Sequence, residues 1–346
     1  MRRFTNRRFH GQPPAYAGAV PGGGASTPPD TELRWSKSDG TGGNEYWGTG
    51  LWAPHMLSED DTNVQTAPRF IGATSGEVHD GHLIYFPPDA THFYLVNSGQ
   101  GATPTQAATA MNATLKAAMV AGDIPWGIVV YANKVDPDDS VESWGVNAAD
   151  GSFDYEDMMV YDLPAKVTQW TGLEITAANT IVIGFSEAGF ITLRLRAKFD
   201  IAFASAYVVM GAPRLDADFP TPAATYTSFS AAEKTKLWDD DTAILQMQSP
   251  IASSAGTALF NVYGDGSAPL LLIRSDDGAG SVGDTTTRNS MNNAVTELGV
   301  LGVTFVSINV FENAAANKPG HVLSEYMAAW ALEGGGNGLD WIGDNL

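Results

Sequence analysis

From about residue 82 onward, short runs of branched and aromatic residues recur: HLIYF (82–86), HFYLVN (92–97), WGIVVYA (126–132), TIVIGF (180–185), IAFASAYVVM (201–210), PLLLIR (269–274) and VTFVSINVF (303–311). Several are apolar over four or more consecutive positions, a pattern that suits a strand only when both of its faces are covered. Between them stand stretches with helical spacing: ATAMNATLKAAMVAG (108–122), DYEDMMVYDLPAKVTQWTG (154–172) with Pro164 as a kink or break, EAGFITLRLRAKF (187–199) and SMNNAVTELGVLG (290–302). Strands alternating with helices predict a three-layer α/β architecture around a mostly parallel central sheet. Functional residues of such folds gather at the carboxyl ends of the strands.

The reading places one domain over residues 46–346, with a cap insertion at 213–254 where a loop and a helix interrupt the alternation. Residues 1–45 read as an extended arm, first basic and then rich in Gly and Pro. Arg2, Arg3, Arg7 and Arg8 precede the first acid, Asp30, in a chain that otherwise carries a strong acidic excess, with 39 acidic and 19 basic residues. An arm of this kind can stay disordered, or dock on an acidic partner or a second copy through residues 1–30, giving a homo-oligomer or larger assembly. A net charge of -20 disfavours nucleic acid and anionic lipid as partners of the body. Without cysteine the chain has no disulfides, no thiolate chemistry and no thiolate metal site. No apolar stretch reaches the roughly 20 residues of a membrane helix, and the first residues lack the apolar segment of a secretory signal. The expected location is therefore the cytoplasm or a particle such as a virion.

The segment IVIGFSEAGF (181–190) sets Ser186 between an apolar strand and a helix, with Gly184, Ala188 and Gly189 as small neighbours. That is the context of a nucleophile elbow, a tight strand-to-helix turn that lifts a hydroxyl above the sheet; the usual glycine at the fifth position is Ala188 here. A serine nucleophile needs a base, and the base an orienting acid. Of six histidines, only His321 follows the serine, just after a Pro-Gly turn. His82 and His92 sit in or beside apolar strands and read as packing or edge residues. The strand PLLLIR runs into Asp276 and Asp277, with Asp277 favoured and Asp276 the alternative acid. The acidic stretches DPDDSVES (136–143), DDD (239–241) and YGDGSAP (263–269) lack the spacing of a calcium loop and read as solvated turns. Trp144, Tyr226, Phe229 and Trp238 fall in loops or the insertion, where they pack or line a pocket.

From roughly residue 82 to 332 the chain resembles the α/β-hydrolase superfamily, and within it the branch of esterase-D, feruloyl-esterase and polyhydroxyalkanoate-depolymerase-like serine esterases. FYLVNSGQG, IPWGIVVYA, the stretch from YEDMMVYDL through GFSEAGFITLRLR, APLLLIRSDD and PGH carry the resemblance. It implies a Ser186, Asp277, His321 triad and an acyl-enzyme route through a carboxylic ester, on an acylated polysaccharide or polymer, with no metal or other cofactor. The developing oxyanion would be met by the backbone N–H of Glu187 and by donors from the loop Ser98, Gly99, Gln100, where the family's usual HG or HGG reads Asn97-Ser98-Gly99-Gln100-Gly101. The alternative is an assembly protein, such as a viral particle component, that keeps this fold and is anchored by its arm.

Overall fold

Apolar side chains on both faces of a strand require a layer of cover on each side, and the sheet is built that way. The computed structural model describes residues 90–97, 104–134, 141–149, 155–210, 230–241, 268–274, 285–309 and 338–346, the single positions 87, 99 and 259, and six short strands between residues 34 and 85. The first 33 residues of the arm and most of the 213–254 insertion lie outside the described residues.

Among the described residues, eight strands form one sheet: β1 (His55–Leu57), β2 (Leu83–Tyr85), β3 (His92–Asn97), β4 (Gly127–Ala132), β5 (Thr180–Phe185), β6 (Ala206–Met210), β7 (Leu270–Arg274) and β8 (Val306–Asn309). Their spatial order is β1-β2-β4-β3-β5-β6-β7-β8. The six strands β3 to β8 are mutually parallel; β2 pairs antiparallel with β4, and β1 runs with β2. Two antiparallel pairs stand apart from it, Arg34–Ser36 with Glu45–Trp47 and Arg69–Ile71 with Val78–Asp80. The first pair straddles the expected boundary at residue 45: Arg34–Ser36 lies in the stretch read as an extended arm, and Glu45–Trp47 runs past its end.

Among the described residues, six helices of seven residues or more accompany the sheet: α1 (Pro104–Ala121), α2 (Leu163–Thr171), α3 (Glu187–Phe203), α4 (Ala231–Trp238), α5 (Thr285–Val300) and α6 (Gly338–Asp344). Along β3, Phe93 and Leu95 enter one core layer with Val182, Tyr207, Val209 and the α3 and α5 residues Leu195 and Met291. Tyr94 and Val96 enter the other, with Ile181, Ile183, Val208 and the α1 and α6 residues Met111, Leu115 and Ile342. Period-two alternation thus feeds two apolar layers, and the central strands β3 to β6 are covered on both faces. No helix among the described residues is long and apolar enough to cross a membrane.

Three boundaries differ from the sequence reading. Helix α1 begins at Pro104, where a residue without an N–H suits the first helical turn. The stretch expected to kink at Pro164 opens instead into a π-helical turn, Met158–Asp162, before α2 resumes at Leu163. Proline has no N–H for a carbonyl four residues back, and a widened turn accommodates that loss. The run 201–210, read as one strand, is divided: α3 continues through Phe203 and β6 starts at Ala206. Ser205 marks the division, its N–H (2.8 Å) and its hydroxyl (2.9 Å) both donating to the Thr180 carbonyl and so fixing the entry of β6 beside β5.

Candidate active site

Strand β5 ends at Phe185 and α3 begins at Glu187, leaving one residue, Ser186, to make the turn. Its φ is 59°, in the left-handed region that side-chain-bearing residues rarely adopt, and the strain is of order 1 kcal/mol or more. Two backbone bonds hold it there. The Ser186 N–H donates to the Met210 carbonyl at the end of β6 (2.8 Å), and the Gly189 N–H donates to the Ser186 carbonyl (2.8 Å). Helix α3 then turns back so closely over β5 that a Cβ on Gly184 would sit 2.1 Å from the Ala188 carbonyl oxygen and 2.2 Å from the Thr192 hydroxyl. This contact is why glycine stands two residues before the serine. Ala188 is fully buried at the turn, so a methyl group fits at the position where glycine is usual.

The neighbouring strand brings the second wall. Asn97, the last residue of β3, lies in register with Gly184. Two residues on, a Cβ at Gly99 would meet the Ser186 Cβ at 3.0 Å and the Phe185 carbonyl oxygen at 3.5 Å. Gly99, two residues past the end of β3, therefore lies against the serine. Of the predicted site residues, Ser186, Glu187 and Gly99 come together here. Ser98, Gln100, Asp276, Asp277 and His321 lie outside the described residues, as do Tyr226 and Phe229.

His92 is placed at the other edge of the sheet, at the amino end of β3 opposite Gly127, with Nδ1 2.8 Å from the Thr91 hydroxyl. Burial lowers its pKa, in keeping with an edge and packing role. Trp144 and Trp238 are buried in a small apolar cluster with Val146 and Leu237. They join the one described helix of the insertion, α4, to the segment after β4. Trp144 Nε1 donates to Glu233 Oε1 (2.5 Å), the Ala149 N–H donates to the Lys236 carbonyl (2.8 Å), and the Trp144 ring meets Phe190 of α3 edge-on at 6.4 Å between centroids. The insertion helix is thus anchored over the first turn of the helix that follows Ser186.

A buried charge cluster, absent from the sequence reading, completes the site. Lys134, just past the end of β4, is 2% exposed at its side chain and donates to the Gly99 carbonyl (2.7 Å) and to Glu187 Oε2 (2.8 Å). Its Nζ is also 2.6 Å from Glu142 Oε1. The Glu187 carboxyl is fully buried and pushed up to about 8, chiefly by loss of hydration; Glu142 and Glu233 add to the shift and Lys134 opposes it. Tyr155, whose hydroxyl donates to the Asn133 carbonyl (2.9 Å), is raised well above the usual phenol range by burial, with Glu187 and Glu142 adding. The one available signal was a lysine two residues after the apolar run GIVVYA, in a chain poor in lysine.

The raised carboxyl has a consequence for stability. Folded Glu187 keeps its proton up to about pH 8 whereas an unfolded glutamate releases it near 4.5, so the native state binds the extra proton in that window and stability falls as pH rises through it. Urea melts at about pH 5.5 and about pH 8.5 should show the parent losing on the order of a few kcal/mol more than Glu187→Gln, which has nothing to ionise. Equal losses in the two proteins would contradict the assignment.

No protein-family model matches the sequence, and no curated protein is similar to it in sequence. Solved structures are similar in fold. A ferulic acid esterase superposes with a TM-score of 0.54 at 10% identity, covering 83% of this chain and 100% of that one. An S-formylglutathione hydrolase from Agrobacterium tumefaciens gives 0.55 at 13% identity over 80% of this chain and 94% of that one. The fluorophosphonate-binding serine hydrolase F of Staphylococcus aureus gives 0.51 at 13% identity, over 79% and 96%. With the strand order and the turn at Ser186, these likenesses establish that the chain has the α/β-hydrolase fold.

Proposed function

We propose that the chain is a serine hydrolase of carboxylic esters, acting through an acyl-enzyme. The observation that carries this reading is Ser186 itself, held at a φ of 59° on a one-residue turn at the carboxyl edge of the sheet with Gly99 against its Cβ. Strain of this kind clusters at functional sites, and here it holds a hydroxyl in one place at the carboxyl edge of the sheet. The names of the similar structures, esterases and hydrolases, support the same chemistry.

In this reading His321 takes the Ser186 hydroxyl proton as the oxygen attacks the ester carbonyl, and Asp277, or Asp276 in its place, orients the imidazole. Strand β7 ends at Arg274, just before both aspartates in the chain, and β8, parallel to it, ends at Asn309 upstream of His321. The N–H of Glu187 and a donor from the Ser98 to Gln100 loop meet the oxyanion. The C–O bond to the alcohol breaks, the imidazolium returns its proton to the leaving oxygen, and a water activated by the same histidine releases the acid and restores the serine. The substrate class is an ester of an acylated polysaccharide or other polymer.

Hydrolysis of 4-nitrophenyl acetate by the full chain tests the reading. The parent is expected to turn over, His321→Ala and Asp277→Asn to lose on the order of 10^4-fold in kcat, and Asp276→Asn to lose far less. A larger loss in Asp276→Asn exchanges the two aspartates; an inactive parent contradicts the function. The four arginines Arg2, Arg3, Arg7 and Arg8, set against an otherwise acidic chain, favour a second role in which the arm docks the enzyme into an assembly. Removal of residues 1–30 should then reduce the particle size seen by light scattering and leave ester turnover in place; an unchanged size counts against the docking role.

A further inference from the structure

The cluster around Lys134 joins elements with no other evident reason to share a charge. Its ammonium reaches the carbonyl of Gly99, the residue against the serine, and the carboxyl of Glu187, the first residue of the helix behind that serine. Glu142 is the third partner, drawn in from the segment after β4. Gly99 and Glu187 are the two described residues of the proposed oxyanion hole, and they come from separate strand ends. A buried ammonium bonded to both fixes the distance between them.

We propose that Lys134 is a positioning residue that sets the oxyanion hole, tying the Gly99 carbonyl to Glu187 and Glu142 so that donors from the β3 loop and from α3 converge in front of Ser186. This rests on the serine-hydrolase reading. Placement matters because hydrogen-bond donors stabilise an oxyanion only where its charge develops, and a displacement of about 1 Å costs on the order of 100-fold. The ammonium has three N–H donors, and the one that the two carboxylates leave over goes to the Gly99 carbonyl, which ties the lysine to the residue packed against the serine. The groups facing Glu187 are Lys134 from the end of β4, Glu142 from the following segment, Glu233 from α4 and Tyr155 from the turn before α2. While Glu187 holds its proton, the cluster leaves the hole more positive. Once it ionises, a carboxylate behind the N–H donors opposes the oxyanion, so activity should descend above about pH 8.

The test compares the parent, Glu142→Gln and the double variant Lys134→Met with Glu142→Gln, which removes the lysine with one of its two carboxylate partners and is assayed below pH 8, where the other, Glu187, keeps its proton. On 4-nitrophenyl acetate the double variant is expected to lose about 100-fold in kcat with KM changed less than about threefold, while its circular dichroism matches the parent. Glu142→Gln keeps the tether and should lose less than about tenfold, and its descending pH limb should move to lower pH because a repelling carboxylate has been taken from Glu187. A folded double variant with kcat within about threefold of the parent overturns the proposal, as does a Glu142→Gln limb that stays in place or rises. If the double variant does not fold, the Glu142→Gln profile decides. A parent that neither hydrolyses the ester nor takes a fluorophosphonate label overturns this proposal together with the function; a labelled, active parent beside an unaffected double variant overturns the positioning role alone.

Discussion

Ser186→Ala is expected to lower kcat/KM for an activated ester by on the order of 10^4-fold or more while the thermal melt of the protein moves little. The two halves of this expectation have separate causes. Alanine removes the only atom that can form the acyl bond, so what remains is the acceleration from binding and the oxyanion donors. Alanine and serine meet the same steric opposition at a φ of 59°, and the backbone bonds from Ser186 N–H to Met210 and from Gly189 N–H to Ser186 are unchanged. Steady-state kinetics beside a thermal melt read both. A variant that keeps more than about a tenth of parental activity would remove Ser186 from the mechanism.

The second large effect falls on Gly184. An added methyl there would lie 2.1 Å from the Ala188 carbonyl oxygen, part of the helix backbone, and no flexible side chain can yield instead. Helix α3 must shift off β5 or the strand must bend, at a cost of about 3 kcal/mol or more. Either movement displaces the turn that carries Ser186, so Gly184→Ala should combine a lowered melting temperature with a loss of activity of 100-fold or more in the folded protein, about what a 1 Å misplacement costs. Gly299 on α5 is the control, since a Cβ there meets nothing within 4 Å. Gly299→Ala should be neutral or stabilising by up to about 1 kcal/mol, and kinetically silent. Equal melting temperatures for the two variants would contradict the close crossing at Gly184.

Where the physics is local, the sequence carried it. IVIGF (181–185) and FYLV (93–96) are apolar throughout because a strand between two helical layers has no solvent face, and such runs announce a parallel sheet before any pairing is known. Glycine, serine and a helix after an apolar run located the turn at Ser186, since a one-residue strand-to-helix turn needs small neighbours. The division of 201–210 was hidden because helix end and strand start are both apolar there, and only the bonds from Ser205 to Thr180 separate them. The Lys134 cluster was hidden for a different reason. Its bonds join residues 35 and 53 positions apart, and nothing in the spacing of Gly99, Lys134 and Glu187 marks them as neighbours until β3, β4 and β5 are set side by side. Trp144 and Trp238, open to a pocket role in the sequence, are committed by burial to fastening α4.

The most direct test of Ser186 as nucleophile is covalent. The full chain is incubated with a fluorophosphonate, its intact mass is measured, and the adduct is mapped by peptide mass spectrometry. A single phosphonyl adduct on the peptide containing Ser186, absent from Ser186→Ala, is the expected result; a folded protein that stays unlabelled, or one labelled at another serine, would contradict it.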